Sequence, residues 1–241
     1  MEASTQAIAA HPKSVSLKRI FQCVIGFAAF SVVLAVAGRH VGRHVALGGH
    51  TEDATLHEII IGNDVLELPA NMIRFESQRR NGVAERVDLY LHWPDMQGYQ
   101  PSSMEDFNGS KGAERLIFAS FGPRMDSRDM SGRYGPVYSV LTSGPGRQGP
   151  NGITIQQFRQ DSGLANEDLA VSPERPGTKP FVARCLDAES SKGSLAACQR
   201  DIFVGEDLQL TYRFPRELLA DWQSVEARMQ AFARDHIMRA E

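Results

Sequence analysis

The sequence has few cysteines, little net charge and only one long apolar run. Three cysteines among 241 residues exclude a small disulfide-stabilised scaffold. A mean hydropathy of −0.29 excludes a protein with several membrane spans. With 42% hydrophobic and 23% charged residues, the composition also excludes collagen-like, low-complexity and wholly disordered classes. The length allows one large or two small domains.

Motifs for nucleotide binding and for common nucleophilic catalysis are also missing. The glycine-rich stretch at 144–152 lacks the Lys-Ser/Thr ending of a phosphate-binding loop, and the chain has no Gly-x-Ser-x-Gly elbow. His40 and His44 could share a helix face, but no glutamate lies between them, so we expect a polar rim at a membrane surface rather than a metal site. We therefore predict no catalytic residue, metal site or cofactor.

An apolar segment near the N-terminus is the strongest signal. Ile20 to Ala37 reads IFQCVIGFAAFSVVLAVA without a charge, and such a helix spans about 27 Å of a hydrocarbon core about 30 Å thick. We predict a cytoplasmic leader at 1–19 and a transmembrane signal anchor at 20–38 that contacts the lipid bilayer. Ala35-Val36-Ala37 also fits a signal-peptide cleavage site, and a buried helix of a soluble protein is a third interpretation.

Charge is distributed unevenly along the chain. Basic residues before the apolar segment (Lys13, Lys18, Arg19) outnumber those just after it (Arg39, Arg43), which favours a cytoplasmic N-terminus. The first 50 residues carry five basic and one acidic side chains, so the remaining 191 account for a net charge of −7 within the total of −3. An acidic exported domain without a basic stretch argues against nucleic acid as its ligand.

The exported part has strand patterns. Residues 39–55 lack sustained periodicity and predict a tether, and a β-rich domain is expected at 56–241. Two β-branched runs around Gly62-Asn63-Asp64 predict a hairpin, and Glu85 to Trp93 alternates like a half-buried strand. Further strands are predicted at 115–121, 153–158, 181–186, 197–204 and 208–214. Loops are predicted at 94–113, 122–136, 143–152 and 160–179, and they contain the adjacent acids Glu105-Asp106 and Glu167-Asp168, which we expect to point into solvent.

The C-terminus changes to helical periodicity. A helix is predicted at 215–239, with one apolar stripe formed by Leu218, Trp222, Val225, Met229 and Phe232. We favour packing of this helix against the sheet, and a coiled-coil seam for a homodimer is the alternative. The predicted fold class is therefore α+β: an N-terminal transmembrane helix, then an antiparallel β-sheet domain packed by a C-terminal amphipathic helix.

The cysteines bear on the compartment. Cys185 and Cys198 flank a short polar segment of a predicted hairpin, so they could form a disulfide across two strands outside the cytosol. Two unrelated buried thiols are the alternative. Cys23 lies in the apolar segment and is interpreted as a small apolar residue.

Four segments near the C-terminus carry a resemblance to other proteins. These are FVARC, ACQRDIFV, LQLTYRF and PRELLADW. They resemble the ending of uncharacterised exported or membrane-anchored bacterial proteins with a two-cysteine β-hairpin and a C-terminal helix. The resemblance covers Phe181 to Phe232 and the anchor, supports the disulfide and the sheet-then-helix ending, and implies no activity.

The best binding candidate lies at one strand end. Trp93, Tyr99 and His92 lie beside the 94–113 loop, where aromatic side chains can anchor a partner; a Trp that caps the sheet edge is the alternative. We predict a single-pass protein of the bacterial inner membrane with a periplasmic interaction or structural domain and an envelope protein partner. The alternative is a hydrolase-like envelope enzyme, with a site under the 94–113 and 122–152 loops.

Overall fold

A computed structural model describes residues 17–108, 115–173 and 176–238. The chain divides into two compact units, residues 1–48 and residues 49–241. Each unit is described by itself below.

The first unit contains a single long helix, α1 (Leu17–Leu47). Within it, Phe21–Gly38 has a mean hydropathy of 2.1 and is long and apolar enough to cross a membrane, although a signal sequence would meet the same criterion. The helix continues through most of the predicted tether, so that only residues 48–55 connect it to the first strand without regular structure. Of the predicted leader, residues 1–16 lie outside the described residues.

The second unit contains twelve described strands and four described helices. The strands are β1 (Leu56–Ile61), β2 (Asp64–Pro69), β3 (Gly82–Val83), β4 (Val87–His92), β5 (Leu116–Pro123), β6 (Thr142–Gln148), β7 (Thr154–Phe158), β8 (Glu167–Val171), β9 (Val182–Leu186), β10 (Cys198–Val204), β11 (Leu208–Phe214) and β12 (Ile237–Met238). The helices are α2 (Met104–Asn108), α3 (Met130–Arg133), α4 (Ser139–Leu141) and α5 (Trp222–His236). Short 3₁₀ segments connect several of them, and Arg216–Asp221 leads into α5.

The strands form two sheets. The large sheet has the order β4-β5-β11-β10-β9-β8-β7-β6, and every neighbouring pair is antiparallel. The small sheet has the order β12-β2-β1-β3, in which only β1 and β3 are parallel. The predicted α+β fold class with a C-terminal helix is confirmed, and the sheets are antiparallel except for the β1–β3 pair.

The main core lies between one side of the large sheet, the small sheet and α5. Alternate residues of β4 point into it, as the sequence pattern predicted: Val87, Leu89 and Leu91 are fully buried. The α5 stripe of Trp222, Val225, Met229 and Phe232 is buried in the same core. The helix therefore packs within its own domain, and this stripe is not exposed for a coiled-coil seam.

A second, smaller core covers part of the other side of the large sheet. Residues 130–141 form α3, a π-helical segment and α4, and they pack Met130 and Tyr138 against the strands β7 to β9. The strand residues in this core are Phe158, Leu169, Val171 and Val182. This covering segment decides which part of the outward side remains exposed.

Two predicted loops contain strands. In the stretch 143–152, β6 pairs with β7 through a register shift between Ser143 and Arg147, and Gly144 and Gly146 have positive φ. Because β6 is an exposed, irregular edge strand, it shows no apolar alternation that the sequence could reveal. Residues 160–179 contain β8, which is only five residues long and lies between β7 and β9.

The predicted disulfide is present. Cys185 of β9 and Cys198 of β10 are direct cross-strand partners, and their sulfur atoms are bonded. The β9–β10 ladder has only this pair and Gln199↔Arg184, so the covalent bond joins two strands that share few backbone contacts. Cys23 is a free, exposed cysteine of α1.

Candidate interaction face

The outward side of β4, β5 and β11 is the part of the large sheet that the 130–141 segment leaves partly exposed. We call this surface the open face. Its strand side chains are Asp88 and Tyr90 of β4, Phe118 and Ser120 of β5, and Thr211 and Arg213 of β11, and it also includes Arg74, which stacks on Tyr90 and Phe118, and Arg86. The register aligns the strand side chains in two cross-strand rows, Tyr90–Phe118–Arg213 and Asp88–Ser120–Thr211. Residues of these rows line a groove of about 300 Å³ together with Arg74 and Arg86.

The row Asp88–Ser120–Thr211 continues into β10, where the 130–141 segment covers the sheet and the open face ends. Thr211 pairs with Asp201 of β10, which is almost fully buried. The backbone N–H of Met130 donates to the Asp201 carboxylate at 3.1 Å, and Arg133 forms an ion pair with it. Although Arg133 and the Met130 N–H favour the charged form, burial raises the pKa of Asp201. The α3 helix therefore closes the sheet surface beside β10 and leaves β11, β5 and β4 accessible.

Arginine and aromatic side chains dominate the open face. The Arg74 guanidinium lies 5.0 Å from the centres of the Phe75 and Tyr90 rings and 5.5 Å from that of Phe118. Such contacts hold a guanidinium by its flat side and leave its N–H groups directed outward. Arg213, on the other side of Phe118, is exposed. Within the described residues, neither Arg74 nor Arg213 forms an ion pair.

Asp88 is the acidic side chain in this groove, and it is already bound. Arg86 and Gln78 donate to its carboxylate, and the Asp88 N–H donates to the Gln78 side chain at 2.9 Å. Burial opposes the ionised form, but these hydrogen bonds outweigh it and lower the pKa of Asp88 below its ordinary value. The groove therefore retains two free positive charges.

An aromatic cluster continues the open face towards the 94–108 loop and includes the predicted binding residue Tyr99. The His50 ring stacks on Tyr99 with 5.0 Å between centres, and it also contacts Tyr90 and Phe107. Tyr99 is itself buried, and its backbone exchanges hydrogen bonds with Asn71. Tyr99 thus supports the cluster from below rather than projecting from it.

The charge state of His50 reflects its surroundings. Burial lowers the pKa of His50 below its ordinary value of 6.5, and the positive charges of Arg79 and Arg74 lower it further. Arg74, which stacks on Tyr90, and Arg79, which donates to the Gly49 carbonyl, place positive charge beside His50 at this edge of the open face.

His92, the second predicted binding residue, holds the 94–108 loop in place. Its Nδ1 lies 2.9 Å from Asp95 and its Nε2 lies 2.8 Å from Asp106 of α2. The backbone of His92 also pairs with Gln97 across the turn. Both ring nitrogens are therefore occupied by loop carboxylates, and the expected solvent-facing position of Asp106 is replaced by this contact.

Trp93, the third predicted residue, lies in the main core, on the other side of the sheet from His92. It is buried, and the Arg228 guanidinium of α5 lies 5.6 Å from its ring centre. The structure therefore brings His92 and Tyr99 to the end of the open face and directs Trp93 away from it.

A buried ion pair connects β10 to α5. Arg200 donates to both carboxylate oxygens of Glu226 at 2.7 and 2.8 Å, and the Tyr212 hydroxyl donates to Glu226 at 2.7 Å. Burial opposes the charge of Arg200, but the hydrogen bonds and the negative charge of Glu226 more than compensate, so the pKa of Arg200 is raised. Burial also raises the pKa of Tyr212 well above its ordinary range. These groups satisfy each other, which indicates a structural role.

The sequence predicted that Glu167 and Asp168 lie in a solvent-exposed loop. The structure instead places both residues in β8. Asp168 of β8 is almost fully buried, and Arg216 donates to it at 2.6 Å, with Arg147 at 3.4 Å. Glu167 is half-buried and forms an ion pair with Arg184 at 3.1 Å. The prediction failed because both arginines that compensate Asp168 come from distant parts of the sequence.

The described residues contain no group of three or more His, Cys, Asp or Glu side chains placed to hold a metal ion. The side chains of His40 and His44 lie outside what the structure describes. The arginines of the open face gave no sequence signal, because Arg74 and Arg213 are 139 positions apart and belong to no motif.

Two solved structures align with most of this chain, each with a TM-score below 0.5. An immunity protein of the Stenotrophomonas maltophilia type IV secretion system aligns with a TM-score of 0.49 and 15% identity over 79% of this chain and 96% of its own. The iron-regulated outer membrane lipoprotein FrpD of Neisseria meningitidis aligns with a TM-score of 0.43 and 8% identity over 77% of this chain and 95% of its own. No family model and no curated protein matches the sequence. At these values, the likeness shows neither a family nor a function for this chain.

Proposed function

We propose that the protein is a single-pass membrane protein of the bacterial envelope whose exported domain binds a protein partner through the open face. In this proposal α1 crosses the inner membrane with its N-terminus in the cytoplasm, and residues 49–241 lie in the periplasm. The open face is the single observation that carries the binding function. One side of β4, β5 and β11 is buried in the main core, and the other presents half-buried aromatic rings and free arginines to solvent.

The composition of the open face supports protein binding. Tyrosine and arginine are enriched at the residues that contribute most to protein–protein affinity, because they combine a large contact area with hydrogen-bonding groups. Tyr90, Phe118 and Arg213 stand side by side on three neighbouring strands, so their positions are fixed before a partner arrives. A preorganised surface loses little conformational entropy on binding.

The anchor and the disulfide support the location. The apolar part of α1 matches the thickness of a hydrocarbon core. A disulfide between Cys185 and Cys198 forms and persists in the periplasm, whereas cytosolic thiols are kept reduced. Both observations agree with export of the second unit.

The enzyme alternative has less support from the described residues. His92 would be the base of a site under the 94–113 loop, but Asp95 and Asp106 occupy both of its nitrogens. The segment 130–141 packs on β7 to β9 and reaches Asp201, whereas His92 is at the far end of β4. We therefore favour the binding function.

Site-specific crosslinking in cells tests this proposal. A photoreactive amino acid replaces Thr211 on the open face of the full-length protein, and a matched one replaces Leu195, which is exposed in the β9–β10 connection. We expect a discrete crosslinked protein from position 211 that is lost when Phe118→Ala is added, and no such product from position 195. Equal products at both positions, or none at 211, would contradict the proposal.

A further inference from the structure

We infer that the partner docks an acidic segment on the open face, with its carboxylates bound by Arg74 and Arg213 and its apolar side chains packed against Tyr90 and Phe118. This inference rests on the proposed protein-binding function and specifies the chemistry of the partner.

The first argument is a local reversal of charge. Residues 51–241 carry a net charge of −7, so a random patch of this domain would be acidic. The groove in the open face instead contains three arginines and one carboxylate, and that carboxylate, Asp88, is paired with Arg86. Arg74 and Arg213 remain without a counter-charge among the described residues. An anionic partner would supply it.

The second argument is that the positive potential acts beyond the groove. His50 contacts the Tyr90 ring on which Arg74 also stacks, and Arg79 donates to the neighbouring Gly49 carbonyl at 2.8 Å. Two guanidinium groups therefore lie close to His50, and an anion that approaches this edge would be attracted by both. Complementary charge of this kind directs encounter and orientation more than it adds raw affinity.

The third argument is the geometry of the two free guanidinium groups. Arg74 is stacked on Tyr90 and Phe118 and is therefore pre-oriented, and the backbone of Arg213 is held in β11 directly opposite Phe118 while its side chain is exposed. A planar guanidinium with free N–H groups binds a carboxylate in a bidentate manner. Phe118 lies between the two arginines, so an apolar side chain between two acidic ones would match the surface.

The groove favours a peptide segment over a lipid surface. The groove has a volume of about 300 Å³ and would accommodate individual side chains. Among the lining hydroxyl groups, Ser120 hydrogen-bonds Asp88, whereas Thr211 accepts from Gln209 at 3.4 Å and can still donate its own O–H to a carbonyl of a polypeptide backbone. A flat anionic bilayer would contact the rims of such a groove but not its floor.

The test uses the full-length protein in neutral phosphatidylcholine nanodiscs and a fluorescent peptide of alternating glutamate and leucine. We expect this peptide to bind, and its glutamine counterpart to bind about tenfold more weakly because the charge-assisted hydrogen bonds are lost. The variant Arg74→Gln/Arg213→Gln should lose about the same factor, and added salt should weaken the wild-type complex.

The matched control removes two exposed arginines elsewhere. Arg128→Gln/Arg234→Gln changes the net charge equally, so it should leave peptide binding within about twofold if the effect is local, since screened distant charges contribute little. An equal loss in both double variants would overturn the inference, because net charge alone would then explain binding. Binding of phosphatidylglycerol vesicles, but not of the peptide, through Arg74 and Arg213 would overturn it in favour of a lipid surface.

The crosslinking at position 211 separates this inference from the proposed function. If the crosslinked protein persists in Arg74→Gln/Arg213→Gln, the open face binds a partner but not through acidic groups, and only the present inference fails. If no partner is captured at all, the proposed function fails with it.

Discussion

Arg200 is a charged residue inside the main core, with 3% of its surface exposed. Its charge is tolerated because Glu226 binds two of its nitrogens, and because Ser131 and the Val182 carbonyl accept from a third. Burial of an ion pair costs desolvation free energy, so the pair contributes little net stability while each partner depends on the other. The network thus fixes how α5 sits on β10.

Glu226→Gln should therefore destabilise the protein by about 3–5 kcal/mol, because Arg200 would remain charged and buried without its counter-charge. Replacing both residues by methionine should recover most of this loss, since two apolar side chains of similar volume fill the same space. Urea unfolding of the three proteins measures the differences. Equal losses in the single and double variants would show that packing, and not the unpaired charge, is responsible.

His50 should make stability depend on pH. Because its pKa is lower in the folded protein than the ordinary value of 6.5, the unfolded chain binds the proton first as the pH falls below 6.5. The free energy of unfolding is therefore not reduced by His50 above pH 6.5, and it declines as the pH falls from 6.5 towards the lowered pKa of His50 in the folded protein. Thermal unfolding at pH 5 to 7 of the wild type and of His50→Gln measures this, and an identical slope in both would refute it.

At the scale of elements, the β10–β11 turn of the large sheet is hydrogen-bonded to the β1–β2 hairpin of the small sheet. The Asp64 carboxylate, at the start of β2, accepts the N–H groups of Glu206 at 2.9 Å and Asp207 at 3.0 Å in the β10–β11 turn. Gly205 precedes them with a φ of +57°, and a side chain there would collide with the Asp64 carboxylate. The β1–β2 hairpin and the β10–β11 hairpin are therefore joined through a position that requires glycine.

Gly205→Ala should lower the free energy of unfolding by about 1–3 kcal/mol, from the strained φ and the displaced Asp64. Gly163→Ala is the matched control, because Gly163 also has a positive φ, +75°, but open space around it. Hydrogen exchange should show faster opening of β1 and β2 only in the first variant. If both variants behave alike, the contact with Asp64 contributes nothing beyond backbone strain.

The elements that the sequence predicted are those with a local pattern. The β4 alternation and the α5 stripe depend on a periodicity that is visible within about ten residues, because it reflects burial of one face. β6 and β8 were missed for opposite reasons. β6 is exposed along most of its length and irregular, and β8 is short and contains Asp168, whose charge is compensated by Arg216 from 48 positions away.

At the scale of the whole molecule, the net charge of −3 describes neither part of the chain. The first 50 residues are basic by +4, and the rest is acidic by −7. Within that acidic part, the open face collects arginines that are far apart in sequence. In the proposed complex, an acidic partner would meet a positive surface on a negative domain, which would favour one orientation of approach.

The proposed topology predicts the behaviour of reporter fusions. Alkaline phosphatase fused after Thr55 should be active, because it folds only after export, and a green fluorescent protein at the same position should remain dark. Fractionation should recover the fusion with the membrane if α1 is not cleaved. A bright fluorescent fusion together with an inactive phosphatase would reverse the orientation.

The sequence by itself determined the anchor candidate, the α+β class and the stripe of α5. Each of these follows from apolar length or periodicity, which local residues encode. It left two alternatives for Cys185 and Cys198, and the structure shows that they form a disulfide. Only the tertiary structure decided that Trp93 points into the core, that His92 is held by Asp95 and Asp106, and that Arg74 and Arg213 meet on either side of Phe118. Cross-strand register and long-range ion pairs create these relations, and neither is written in the residues next to them.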